Sequence, residues 1–239
     1  MGTERHHESV EPTDSVHVRT LGIGDTLRWS WEALTGRLEL VGFALAVASL
    51  SVVALFGISR PTPDAVPEIA GWVWPVYFAY VVALAVVWGV AYTSSEDAVA
   101  NRERPLGDHV RGAAKRVPAL VAVAIPMWII SVLGLFAFVL PGVYLFHRLL
   151  LSFPACVIDG KGPLASLKAG WRAGGGNVLK IFGVSLVYFA SIGASNLAAS
   201  VFGQYTLVGG VVSAGLSAVL LPLFGLALGH LYLESSRNQ

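Results

Sequence analysis

Two basic side chains stand together in an otherwise apolar run: "LPGVYLFHRLLLSFPACVIDG", Leu140 to Gly160, carries His147 and Arg148. A guanidinium there can grip a phosphate or carboxylate with paired N–H donors, and an imidazole can carry a proton or a metal. On a helix the two point about 100° apart, so they do not readily serve one site. Two readings of Arg148 follow. Either it snorkels to headgroup phosphates and pins the depth of its helix, or it faces the bundle interior and holds an anion, a lipid phosphate or a substrate. An Arg at mid-membrane costs about 2.5–3.5 kcal/mol on insertion scales, so it calls for a partner.

Other stretches with chemical potential fail on pattern. "DGKGPLASLKAGWRAGGGN", Asp159 to Asn177, is glycine-rich and basic, but lacks both the Gly-Lys-[Ser/Thr] of a P-loop and Gly-x-Gly-x-x-Gly after a strand. Its Gly174–Gly176 instead ends an interfacial helix, and Asn177 turns the chain. His6 and His7 have no second ligand pair at a useful spacing. No His-Glu-x-x-His and no placeable Ser-His-Asp set is present. The reading is therefore non-enzymatic, with no catalytic residue, metal ligand or cofactor site. Cys156 is the single cysteine and forms no intrachain disulfide. Glu39 and Asp159 flank apolar runs and are expected to pair with neighbouring bases. Asn196 is expected to donate between helices, and Gly225-x-x-x-Gly229 to pack closely within the bundle.

The elements that position these residues are set by composition. The chain is 55% hydrophobic and 13% charged, with mean hydropathy +0.67, whereas a soluble domain carries about 25% charged residues. Net charge is only +1, and no nucleic-acid partner is expected. Residues 1–18 read as a disordered tail without the apolar stretch of a secretory signal, and 19–239 as one membrane domain. A span needs roughly 20 apolar residues. The runs at about 38–58, 72–92, 181–201 and 207–232 qualify. Ala119–Ile158, forty residues broken only by His147 and Arg148, suits a hairpin of 119–140 and 143–158, with Leu140–Gly142 as the break. Arg148 would then lie six residues past the turn, roughly 9 Å below the outer surface. The alternative is five spans, with 143–158 re-entrant or interfacial.

Charge placement favours six. Residues 1–37, 93–118, 159–180 and the C-terminal tail carry four, five, four and one Lys/Arg, against Arg60 alone on the other side. This asymmetry places both termini in the cytoplasm of a plasma-membrane protein. The connections also repeat. Leu27, Arg28, Trp31, Ala33 and Gly36 align with Leu167, Lys168, Trp171, Ala173 and Gly176, and a weaker relative starts at Pro105–Leu106. The expected fold is thus an all-α membrane protein: six transmembrane helices as three hairpins, each preceded by a short interfacial amphipathic helix. Trp31 and Trp171 are the interfacial anchors. Arg148, Lys168 and Arg172 are the candidate contacts to anionic lipid.

Pro141-Gly142, Tyr144 and Arg148, then Asp159, Gly162-Pro163-Leu164, Leu167-Lys168 and Trp171-Arg172 carry a resemblance. Over Leu140–Asn177 the chain resembles prokaryotic six-span proteins related to the membrane domain attached to some glycerophosphodiester phosphodiesterases, and to the YciC-type family. The resemblance implies an archaeal or bacterial membrane protein. It transfers no catalytic residue, because the cytoplasmic loops are too short for a phosphodiesterase barrel. The expected role is phospholipid binding, membrane organisation or assistance to a membrane protein partner or a second copy of the chain. The alternative is a small transporter or channel subunit.

Overall fold

A backbone surrounded by hydrocarbon must satisfy its N–H and C=O groups within itself, which leaves helices as the solution for apolar runs of this length. The computed structural model describes residues 18–59, 66–203 and 206–238. Its elements are α1 (Ile23–Thr35), α2 (Leu38–Leu55), β1 (Ile58–Ser59), β2 (Glu68–Ile69), α3 (Val73–Val99), α4 (Leu106–Ala137), α5 (Val139–Leu149), α6 (Ser152–Ile158), α7 (Pro163–Gly174), α8 (Val178–Val201) and α9 (Leu207–Arg237). The expectations for the tail, with His6 and His7, and for Arg60 lie outside the described residues.

Among the described residues, six helical segments are long and apolar enough to cross a membrane: α2, α3, α4, the α5–α6 pair, α8 and α9, with mean hydropathy between 1.4 and 2.4. Their outer faces carry large apolar side chains, among them Phe78, Trp128, Phe136 and Leu197, each exposed. A soluble protein does not display such a continuous apolar surface. The chain is an all-α, multi-pass integral membrane protein. Between α2 and α3, β1 and β2 pair antiparallel, Ile58 opposite Ile69.

α9 is the central helix, lying against α1, α2, α3 and α8. Small residues make this possible. A Cβ at Gly225 would stand 2.5 Å from the Ala91 Cβ, and one at Gly229 2.0 Å from Ser95 Oγ. The Gly225–Gly229 motif therefore packs α9 on α3 inside the bundle.

The α4–α5 hairpin differs from expectation in its turn. α4 ends at Ala137, and Phe138, extended at φ −166° and ψ 149°, reverses the chain before α5 begins. Pro141 is not the breaker. It sits in the first turn of α5, where a missing N–H leaves no helical bond unmade. Gly142 serves close approach: a Cβ there would stand 2.5 Å from the Leu135 backbone nitrogen.

The third connecting segment also takes its own form. α1 and α7 are separate short helices ahead of α2 and α8, ending at Gly36 and at the Gly174–Gly176 run. Leu106–Pro118 instead forms the opening turns of α4 and continues into the span. With Pro105 aligned on Pro163, Pro118 occupies the position of Gly176. A proline inside a membrane helix is tolerated where neighbouring groups re-satisfy the backbone.

Candidate functional site at the basic end

α3, α4 and α9 have 27, 32 and 31 residues, more than the roughly 20 needed to cross hydrocarbon. Their excess turns gather, with α1 and α7, at one end of the bundle, called here the basic end. Three ionic clusters form there.

The first centres on Asp97, whose side chain is fully buried. Arg104 Nε donates to Asp97 Oδ1 at 2.8 Å, and Arg104 Nη2 donates to Glu96 Oε2 at 3.0 Å. His109 Nε2 lies 3.0 Å from Asp97 Oδ2, while Thr93 Oγ1 lies 2.7 Å from His109 Nδ1. Arg37 and Arg102 approach Asp97 to 3.8 Å. The Asp97 hydrogen bond holds the Arg104 guanidinium above its ordinary pKa. Four bases converge on one carboxylate, which ties the α1–α2 junction to α3 and α4.

The second cluster centres on Asp159, which accepts from Lys161 and from the Tyr232 hydroxyl, and from Arg237 Nη2 at 3.3 Å. Beside it, Arg116 Nη1 donates to the Gly160 carbonyl at 2.9 Å. Gly160 is required twice over: φ is +64°, and a Cβ would meet Arg116 Nη2 at 2.5 Å. The third cluster joins Glu234 to Lys180 at 2.5 Å and to the Leu21 N–H at 3.2 Å. Asn177 Nδ2 donates to Ser235 Oγ at 2.8 Å.

The candidate lipid contacts lie where α5 meets α7. Arg148 is ten residues beyond Phe138, about 15 Å of helix rather than roughly 9 Å. The earlier reversal, not the helix geometry, makes the difference. Its guanidinium carbon stands 4.1 Å above the Trp171 ring and 5.6 Å from the Tyr144 ring. Arg148 Nε donates to the Trp171 carbonyl at 3.3 Å, and Nη1 donates to the Tyr144 hydroxyl. A Cβ at Gly174 would meet the Arg148 carbonyl oxygen at 2.3 Å, so the bare glycine lets α7 seat against α5.

Lys168, Trp171 and Arg172 are exposed along one side of α7. The structure thus brings Arg148 to α7, the helix that carries Lys168 and Arg172. His147 is held elsewhere: Val143's carbonyl lies 2.7 Å from its Nδ1, and Phe182 of α8 stands 5.1 Å away ring to ring. The two adjacent bases serve different neighbours.

The repeat in the connections is structural as well. Trp31 and Trp171 are both exposed, and Arg28 and Lys168 likewise. Thr26 Oγ1 donates to the Gly22 carbonyl at 2.8 Å, as Ser166 Oγ does to Gly162 at 2.9 Å. These pairs are offset by the same interval as Trp31 and Trp171.

Two expectations fail. Glu39 is exposed and forms no ion pair among the described residues; it sits in the first turn of α2, where the helix dipole favours a carboxylate. Asn196 makes no hydrogen bond among the described residues, because it faces a gap between α3, α8 and α9 rather than a packed seam. Sequence reasoning did not find Asp97. Its signal was an acidic pair, Glu96-Asp97, at the end of a span, followed by Arg102 and Arg104.

No family model matches this chain, and no curated protein or solved structure is significantly similar to it.

Proposed function

We propose that this chain is a non-enzymatic protein of the plasma membrane that binds anionic phospholipid at its basic end, which faces the cytoplasm. One observation carries the reading: Arg148 stacks on Trp171 of α7, the helix that exposes Lys168 and Arg172. A guanidinium has five N–H donors. Two of those of Arg148 are engaged by Trp171 and Tyr144, and the others are left for phosphate oxygens. Stacking orients the planar fork, and its platform is a Trp, a side chain favoured at membrane interfaces. Membrane lipids are the partners in this reading. An organising or accessory role would add a membrane protein or a second copy of the chain. The likeness of Leu140–Asn177 to six-span proteins of the YciC type belongs to the same proposal.

The test is native mass spectrometry of the purified protein with its bound lipids. Arg148→Lys keeps charge and reach but loses the fork, and is expected to lower bound anionic lipid several-fold. Arg148→Leu is expected to lose it almost wholly, yet insert at least as well as the parent. Trp171→Ala removes the stacking platform and should resemble Arg148→Lys. Equal anionic-lipid retention in all four proteins defeats the reading and leaves Arg148 as a depth marker.

A further inference from the structure

α8 packs against α9 and touches α5 and α1, but it has no continuous interface with α3 or α4. The gap holds an apolar chamber of about 320 Å³, within the range of small-molecule sites, about 300–1,000 Å³. Trp88, Tyr92, Leu120, Phe146, Tyr188 and Phe224 form its main walls. Tyr188 lies flat on Phe224 at 4.1 Å, and Trp88 meets the Phe224 ring edge-on at 5.5 Å. Two smaller cavities adjoin the chamber. One shares Phe146 and Phe189 with it and runs between α4 and α5; the other shares Tyr188 and runs between α3, α8 and α9 to Asn196. From Ser185 to Asn196 the inner face of α8 is unsealed for eleven residues, about 16 Å.

Among the described residues, one buried polar atom lining the chamber lacks a hydrogen-bond partner. It is the hydroxyl of Ser185, a fully buried residue. A helical serine ordinarily bonds back to the carbonyl one turn earlier. Ser185 stands five residues, about 7.5 Å, into the membrane from Lys180 and its charged layer. That is the depth at which a lipid chain meets its headgroup. An apolar space between spans does not retain water, and hydrocarbon is the surrounding solvent.

We propose that one hydrocarbon chain of a membrane lipid lies in this cleft, along α8, with a lipid oxygen at Ser185. The site is separate from the headgroup site on α7. Phe146 lines the chamber, and Arg148, two residues on along α5, projects about 200° away.

The test uses the full chain with Trp88 as the only tryptophan, in vesicles of phosphatidylcholine brominated on its acyl chains. Bromine quenches indole fluorescence at contact. A second protein keeps only Trp128, which is exposed on α4 at the rim of the smaller cavity and does not line the chamber, as the reference. Trp88 is expected to be quenched at least half as strongly as Trp128. Quenching of Trp88 below a tenth of that value overturns the proposal, since the chamber would then be empty. Ala124→Phe and, separately, Ala85→Leu fill the chamber from α4 and from α3. Either is expected to cut Trp88 quenching several-fold and leave Trp128 unchanged. If both plugged proteins fold and Trp88 quenching persists, lipid reaches the ring from outside and the proposal fails. Because the lipid is zwitterionic, failure of the anionic-headgroup reading leaves this result untouched.

Discussion

Asp97 has no exposed side-chain surface, and four bases from three segments of the chain meet it. A buried carboxylate is held there only because its partners compensate the lost hydration. Asp97→Ala leaves those bases facing one another and is expected to cost about 3 kcal/mol, the lower end for breaking a buried pair, because Arg102 and Arg104 stay half in water. Arg104→Gln should cost under about 1 kcal/mol, the usual worth of a partly exposed pair, since Asp97 keeps Arg37, Arg102 and His109. Equilibrium unfolding in mixed micelles measures both. Equal losses would mean that the network is not centred on Asp97. This residue was illegible from the sequence for a physical reason. Positive-inside counting weighs Lys and Arg alone, and Arg37 reaches Asp97 only after the α2–α3 hairpin has folded. Asp159 was legible, because Lys161 stands two residues on.

At the scale of elements, apolar length identified every span, whereas glycine roles had to be read from contacts. Gly142 and Gly42 show why. Both lie in helices, yet a Cβ at Gly142 would stand 2.5 Å from a backbone nitrogen and 2.8 Å from the Cα of Leu135, while one at Gly42 would meet nothing within 4 Å. Gly42→Ala is therefore expected to leave stability unchanged or raise it by about 0.5–1 kcal/mol, the ordinary helix-propensity gain. Gly142→Ala must separate α4 from α5 and is expected to cost about 1–3 kcal/mol, as overpacking does. Thermal unfolding of the two variants beside the parent decides it; equal stability of Gly142→Ala and Gly42→Ala would show that the hairpin is not closely packed. The same contacts explain the misplaced turn. Pro-Gly signals a break in a chain that water surrounds, but here Pro141 opens a helix and Gly142 admits a neighbouring backbone, so Phe138 carries the reversal.

For the whole molecule, the asymmetry of charge and the clustering of ion pairs coincide. Arg37, Arg102, Arg104, Arg116, Lys161, Lys180 and Arg237 all find acidic or carbonyl partners at one end of the bundle. The opposite end, where α4 turns into α5 and β1 pairs with β2, carries exposed apolar side chains such as Phe136 and Phe138. Fourteen of sixteen Lys/Arg in the sequence fall on the basic side of a six-span arrangement, and such segments are retained in the cytoplasm. The prediction is that both termini are inside. With buried Cys156 replaced by Ala, cysteine is placed at Gly71, beside β2 at the turn end, or at Gly107 or Lys161 at the basic end. All three positions are accessible at least in part. In intact cells a membrane-impermeant thiol reagent is expected to label Gly71→Cys and to miss Gly107→Cys and Lys161→Cys until the cells are permeabilised. Labelling of Gly107→Cys and Lys161→Cys from outside, with Gly71→Cys silent, would invert the protein. Labelling of Gly71→Cys together with Lys161→Cys alone would mean that α5 and α6 do not cross, and would return the chain to five spans.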